Sequence, residues 1–168
     1  DSGTKMLKKG EQLWVYLPNI EKVQRISGHM LEQGLMGSSV SYQDLMESTE
    51  LSKIYRVTEL KEVLYENRPC YRLHLEAVSA STAYQERISW IDQELLIPRK
   101  EEYYAVSGKL LKTMEMTGYQ SVEGRNTPTE LIITDQLQPS LATKLTFSEI
   151  SFQVEDKEAM FQQRWLER

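Results

Sequence analysis

Cys70-Tyr71-Arg72-Leu73-His74-Leu75-Glu76-Ala77 alternates without a break. Tyr71, Leu73, Leu75 and Ala77 occupy one parity, and Arg72, His74 and Glu76 the other. A period of two sends neighbouring side chains to opposite sides of an extended chain, so the stretch predicts a half-buried antiparallel strand with an apolar and a wet face. Residues 53–66 precede it, with Tyr55, Val57, Val63 and Tyr65 on one parity. The polar run Glu66-Asn67-Arg68-Pro69 between the two predicts a hairpin.

Working outward, further strands follow at hairpin spacing. Residues 84–91 carry Tyr84, Ile88 and Trp90, and residues 99–106 carry Tyr104 and Val106. After Ser107-Gly108, Leu110, Met114 and Met116 share a parity in 109–117. Residues 129–137 (Leu131, Ile133, Leu137) and 141–152 (Leu141, Leu145, Phe147) complete the run. At the front, 4–8 and 12–17 flank a Lys9-Gly10-Glu11 turn. Consecutive hairpins without intervening helices make a meander, which argues against a parallel sheet.

Two segments read as helical. In 28–46 strand alternation is lost, and Ser41 with Asp44 three residues on resembles a capping box, with Val40 and Leu45 placed as a hydrophobic staple. A short helix is expected at 41–48, after a looser, partly helical stretch broken by Gly34 and Gly37. A second short helix is expected at 156–163, with Met160 and Phe161 on one side. No repeat or Pro/Gly/Ser-rich linker interrupts the chain, so residues 1–168 are read as one domain.

Composition narrows function by exclusion. The 168 residues are 40% hydrophobic and 27% charged, which suits a globular chain with a real core. Twenty Lys and Arg against twenty-five Asp and Glu give a net charge of -5, and no basic surface for nucleic acid dominates. No apolar run approaches a membrane-spanning helix. The chain opens on Asp1-Ser2-Gly3-Thr4-Lys5 without a signal-peptide pattern, as expected of a cytosolic chain or a processed or trimmed exported one. A single cysteine, Cys70, excludes an internal disulfide and by itself makes no metal site.

Catalytic and cofactor patterns are missing too. His29 and His74 are far apart, and neither belongs to a zinc motif. No nucleophile elbow, phosphate loop or dinucleotide fingerprint is present. The adjacent acids Glu101-Glu102 and Glu155-Asp156 point to opposite faces of a strand and read as solvated charge. Cys70, at a strand start, reads as a buried structural thiol. No catalytic residue, metal ligand or cofactor is assigned. What remains is soft apolar surface: seven Met, nine Tyr and three Trp. A sheet with one apolar face and two short helices leaves part of that face open to a ligand, and 28–46 is built as a lid.

The order of short motifs resembles a known family. Leu7-Lys8-Lys9-Gly10-Glu11-Gln12-Leu13-Trp14-Val15-Tyr16-Leu17-Pro18 is similar to the L-x-x-G-x-x-L-W-x-Y-x-P opening of the bacterial outer-membrane lipoprotein-sorting, LolA-like family. Lys22-Val23-Gln24-Arg25-Ile26 follows in order, and Met36-Gly37-Ser38 with Asp44-Leu45 resembles its M-G-S-x-x-x-x-x-D-L segment. Cys70-Tyr71-Arg72-Leu73, Trp90-Ile91-Asp92, Leu96-Ile97-Pro98-Arg99-Lys100, Gly108-Lys109-Leu110-Leu111-Lys112, Gly124-Arg125 and Pro128 keep that order, and Phe161, Arg164 and Leu166 resemble its F-x-x-R-x-L ending.

The resemblance implies a mainly β fold: a strongly curved antiparallel sheet, an incomplete, open β-barrel plugged by short helices. It further implies a periplasmic, non-enzymatic carrier of the acyl chains of lipoproteins or other lipids, moving them toward the outer membrane. The expected lining is Trp14, Tyr16, Tyr71, Leu73, Leu75, Ile88, Trp90, Met114, Met116, Leu131 and Ile133, and the plug is Met30, Leu31, Leu35, Met36, Leu45 and Met46. Trp14/Tyr16 and Leu13/Val15/Leu17 are both apolar, so the inward parity there stays open. The family's first helix and strands, with the arginine that holds its lid, precede the position of Ser2-Gly3-Thr4. An N-terminally truncated member would leave the 4–17 hairpin as an exposed edge and self-associate, by edge pairing or by facing two open sheets together. The alternative is an envelope interaction module docking on a lipid-exporting inner-membrane transporter. A lipid hydrolase has no nucleophile constellation behind it.

Overall fold

Glu66 and Asn67 both take positive φ, 50° and 62°, as a two-residue type I′ hairpin turn requires. They join β4 (Tyr55–Tyr65) to β5 (Arg68–Ala77), and this hairpin starts a seven-stranded antiparallel sheet. The sheet continues through β6 (Glu86–Asp92), β7 (Pro98–Tyr104), β8 (Leu110–Val122), β9 (Arg125–Asp135) and β10 (Ala142–Thr146). Spatial order follows chain order from β4 to β10, so the expected meander is present and every pairing is antiparallel. β4 and β10 are the two edges, and the sheet stays open.

This computed structural model describes residues 3–46, 51–153 and 161–167. The chain divides into two compact units, one of Asp1–Glu47 with Gln153–Arg168 and one of Ser48–Phe152. The first contains a three-stranded antiparallel sheet of β1 (Lys5–Lys9), β2 (Gln12–Leu17) and β3 (Lys22–Ile26). Leu13, Val15 and Ile26 are its buried centre, with Leu17, Met30, Leu31, Tyr42 and Met46 packed against them. The opposite face carries buried Leu7 with half-buried Trp14 and Tyr16. There Lys5 lies 5.3 Å from the Tyr16 ring centre and donates to the Leu166 carbonyl at 3.3 Å, tying down the C-terminal turn Gln163–Trp165.

Between β3 and the second unit the backbone forms short 3-10 turns at Gly28–Glu32 and Leu35–Gly37, then α1 (Tyr42–Met46). The capping box is present in both directions. Ser41 N–H donates to Asp44 Oδ2 at 2.7 Å, and Asp44 N–H donates to Ser41 Oγ at 3.2 Å. Val40 is buried and Leu45 is 37% exposed. Of the helix expected at 41–48, residues 47 and 48 lie outside the described residues; so do Met160, most of 156–163, and the pair Glu155-Asp156. Gly34 bridges to Ser41, and a Cβ at Gly34 would stand 2.3 Å from the Ser38 carbonyl oxygen.

Several expected boundaries move. Residues 51–54 form α2 (Leu51–Ile54), so the strand expected from 53 begins at Tyr55. β3 is an added strand that alternation does not reveal, because Lys22, Gln24 and Arg25 dilute its two apolar residues. β8 and β9 extend to a turn at Glu123-Gly124, and β10 ends at Thr146. The larger corrections come from bulges. On β4 the register slips between Val57 and Glu59, leaving Thr58 unpaired. Val57 therefore faces the same side as Leu75, whereas Val63 shares the side of Cys70. A slip opposite Tyr103/Tyr104 likewise separates Leu110 from the face of Met114 and Met116. One extra residue inverts every side chain beyond it.

The end of the sheet around the β6–β7 turn is held by one carboxylate. Asp92 is 1% exposed. Its Oδ2 accepts from Arg68 Nε at 2.6 Å and lies 3.5 Å from Arg99 Nη1, while its Oδ1 accepts the backbone N–H groups of Glu94 and Leu95 at 3.0 Å. The Arg68 hydrogen bond, helped by those two amides, overcomes burial and holds the Asp92 carboxyl at about 2, against an ordinary 3.8.

Two outcomes follow. A depressed folded-state value contributes stability fully above the unfolded value and loses it as pH falls from about 4 to about 2. Asp92→Asn should cost about 3 kcal/mol at neutral pH, and urea midpoints of variant and wild type should converge as pH falls through that window. Gly34→Ala should destabilise the chain by about 1–3 kcal/mol through the clash with Ser38, read from the same titrations at pH 7.

Candidate functional site

Cross-strand partners in an antiparallel sheet share a face, so the register assigns each candidate side chain of the second unit to one of two sides. On one side, Leu73 (β5) is followed by Ser89 (β6), Glu101 (β7), Met114 (β8) and Ile133 (β9). A parallel row runs Leu75, Arg87, Tyr103, Lys112, Asp135. Tyr71, and Met116 with Leu131, belong to the same side. Seven lining candidates thus share one face: Tyr71, Leu73, Leu75, Met114, Met116, Leu131 and Ile133. Leu75, Met116 and Ile133 are buried on it, and the other four are half-buried.

Ile88 and Trp90 are not on that face. They pair with His74 and Arg72 on the opposite side. Trp90 lies between two cations, with Arg72 at 5.5 Å and Lys100 at 5.1 Å from ring centres, and Tyr65 at 6.1 Å. That side is a ladder of paired charge. Glu59 binds Lys61 and Arg72, Lys100 binds Glu102, and His74 meets Glu86 at 3.2 Å and Thr58 at 3.3 Å. Burial pushes the Tyr104 hydroxyl up to about 12, reinforced by its hydrogen bond to Glu102. Against burial, the hydrogen bonds from Lys100 and Tyr104 hold Glu102 below the usual carboxylate range.

The first unit holds the remaining candidates. Met30, Leu31 and Met46 pack on the Leu13–Val15–Ile26 cluster. Leu35 is half-buried, Met36 and Leu45 are exposed, and His29 is exposed in the first 3-10 turn. On β2 the inward parity is Leu13 and Val15, while Trp14 and Tyr16 face the other side. Burial also fits Cys70 as a structural thiol: it is 0% exposed, and burial with the neighbouring Asp92 carboxylate pushes its thiol up.

At the middle of the Leu73 face is a cluster that the sequence reading missed. Arg87, Ser89, Glu101 and Lys112 are all 7% exposed or less, as is Tyr103. Glu101 Oε2 accepts from Arg87 Nη2 at 2.8 Å and from the Tyr103 hydroxyl at 2.5 Å, and its Oε1 accepts from Ser89 Oγ at 2.9 Å. The Arg87 guanidinium stacks on Tyr103 at 4.7 Å and Tyr55 at 5.3 Å. Tyr84 packs on Tyr103 at 4.8 Å, takes Lys112 at 5.7 Å from its ring centre, and accepts the Tyr55 hydroxyl on its carbonyl at 3.0 Å. The reading of Glu101 as solvated charge is therefore corrected. The only available signal was that Arg87, Ser89, Glu101 and Tyr103 alternate with Ile88, Trp90 and Glu102, and the apolar parity of β6 concealed it.

Chemically the face is an apolar field with a polar centre. Its acyl-compatible side chains flank a charge pair whose hydrogen bonds are made within the protein. Glu101→Ala, which removes the partner of a buried guanidinium, should cost about 3–5 kcal/mol in urea unfolding, and the double variant Arg87→Met/Glu101→Leu should recover most of that loss.

Comparisons with known proteins place this geometry. A protein-family model described as "Uncharacterized protein" matches residues 1–168, the whole chain. A crystal structure of an outer membrane lipoprotein-sorting protein domain from Vibrio parahaemolyticus superposes with a TM-score of 0.86 at 26% identity, covering 99% of this chain and 72% of that one. A DUF1329 family protein from Desulfovibrio piger gives a TM-score of 0.84 at 22% identity, with 98% and 71% covered, which speaks for the fold. A LolA superfamily protein from Nitrosomonas europaea gives 0.76 at 25% identity, with 96% and 71% covered. No curated protein sequence matches. With its open antiparallel sheet, short helices and a match along its full length, the chain belongs to the LolA-like, outer-membrane lipoprotein-sorting family.

Proposed function

We propose that this protein is a non-enzymatic periplasmic carrier that binds the acyl chains of lipids or lipoproteins for transport toward the outer membrane. The observation that carries this reading is the shared face of Leu73, Leu75, Met114, Met116, Leu131 and Ile133, in a fold common to a lipoprotein-sorting domain. Methionine adds flexible, polarizable surface to the leucine and isoleucine side chains, which suits a ligand of variable shape. Each buried methylene contributes roughly 0.8 kcal/mol, so one long acyl chain supplies micromolar binding after ordering costs. The Arg87–Glu101 pair interrupts the apolar field at its centre, with acyl-compatible side chains on either side. Binding and release need no bond to be made or broken, and no cofactor enters.

Native mass spectrometry of the purified chain, followed by organic extraction, tests the reading. Discrete adducts that extract as phospholipid or acylated peptide are expected, and a fluorescent fatty-acid probe should bind and be displaced by them. Leu73→Gln and Leu131→Gln should each weaken the probe by about tenfold while leaving the circular dichroism spectrum unchanged. A clean apo mass together with no probe binding at any concentration would overturn the carrier and leave the transporter-docking module.

A further inference from the structure

Two sheets present four edge strands, and they differ in how they would receive another chain. β1 (Lys-Met-Leu-Lys-Lys) is short and presents three lysines, and β3 is short with Lys22 and Arg25. β10 has five residues. Short edges carrying cationic side chains are protected against pairing. β4 is different: it runs eleven residues, and Val57, Leu60 and Leu64 are 55%, 57% and 74% exposed. Among the described residues its one ladder partner is β5.

We propose that β4 is a homodimerisation edge, at which a second copy of this chain adds antiparallel to continue the seven-stranded sheet. An isologous contact must be self-complementary, and the charges of β4 meet that test in one register. Continuing a sheet across a two-fold axis keeps like faces together, so partners must have equal parity beyond the Thr58 bulge. With Leu60 opposite Leu60 of the second copy, Glu59 stands opposite Lys61 and Lys61 opposite Glu59, and two opposite-charge pairs flank an apolar one. Centring on Glu59, Lys61 or Glu62 instead sets each of those charges against its own copy, which is repulsive. Glu59 and Lys61 lie 2.7 Å apart within the strand, with side chains 41% and 56% exposed, so both heads are reachable although Glu59 also meets Arg72 of β5 at 3.4 Å. The bulge at Thr58 limits the ladder at one end.

Sedimentation equilibrium of the full chain over a concentration series tests this, with folding checked by circular dichroism. Wild type should show a monomer–dimer equilibrium. Glu59→Lys and Lys61→Glu should each raise the dimer dissociation constant about tenfold or more, because two attractive pairs become repulsive. Mixing the two variants should restore dimer as a heterodimer, and the double variant Glu59→Lys/Lys61→Glu should restore the homodimer. A wild-type chain monomeric throughout, a dimer indifferent to both single changes, or no recovery in the mixture would each overturn the proposal.

Discussion

Arg87 and Glu101 are almost wholly withdrawn from water, and a charge pair in that position persists only when contacts inside the protein replace the lost hydration. Ser89 and Tyr103 donate hydrogen bonds to the carboxylate, and two tyrosine rings lie against the guanidinium. All of this depends on β6 and β7 being paired in one register. A slip of a single residue would carry Arg87 to the outer side and drive Ile88 into the cluster. The apolar rows on either side share the same strands, so the face as a whole inherits the register that this pair demands.

The legible parts of the fold were those where local chemistry and long-range packing agree. β5 alternates because one side meets the buried face and the other the charge ladder, and its turn with β4 was marked by a polar run. The capping box at Ser41 and Asp44 was legible because it is a contact between residues three apart. Bulges were not. Thr58 and Leu111 are ordinary strand residues, and nothing in their identity announces that a partner strand skips them. Parity arguments carried across them therefore join side chains that lie on opposite sides.

β6 failed for another reason. Its large apolar residues, Ile88 and Trp90, belong to the outer side, where cations cover the indole, while its polar residues are the buried ones. Amphipathic reading assumes that the interior is the apolar side, and here a hydrogen-bonded polar cluster occupies it. In the first unit Met30, Leu31 and Met46 pack on a core of their own in Leu13, Val15 and Ile26. That packing is invisible to a pattern that only counts hydrophobic residues.

Cys70 gives the molecule a built-in clock. The thiol is entirely enclosed, between Val63 on β4 and Asp92 on β6 in the register, and it is the chain's single cysteine. A thiol reagent reaches it only when those three strands part, so its labelling rate reports the opening equilibrium of that part of the sheet. The native chain therefore carries a sensor of its own breathing at the hairpin from which the whole sheet is read, with no probe added.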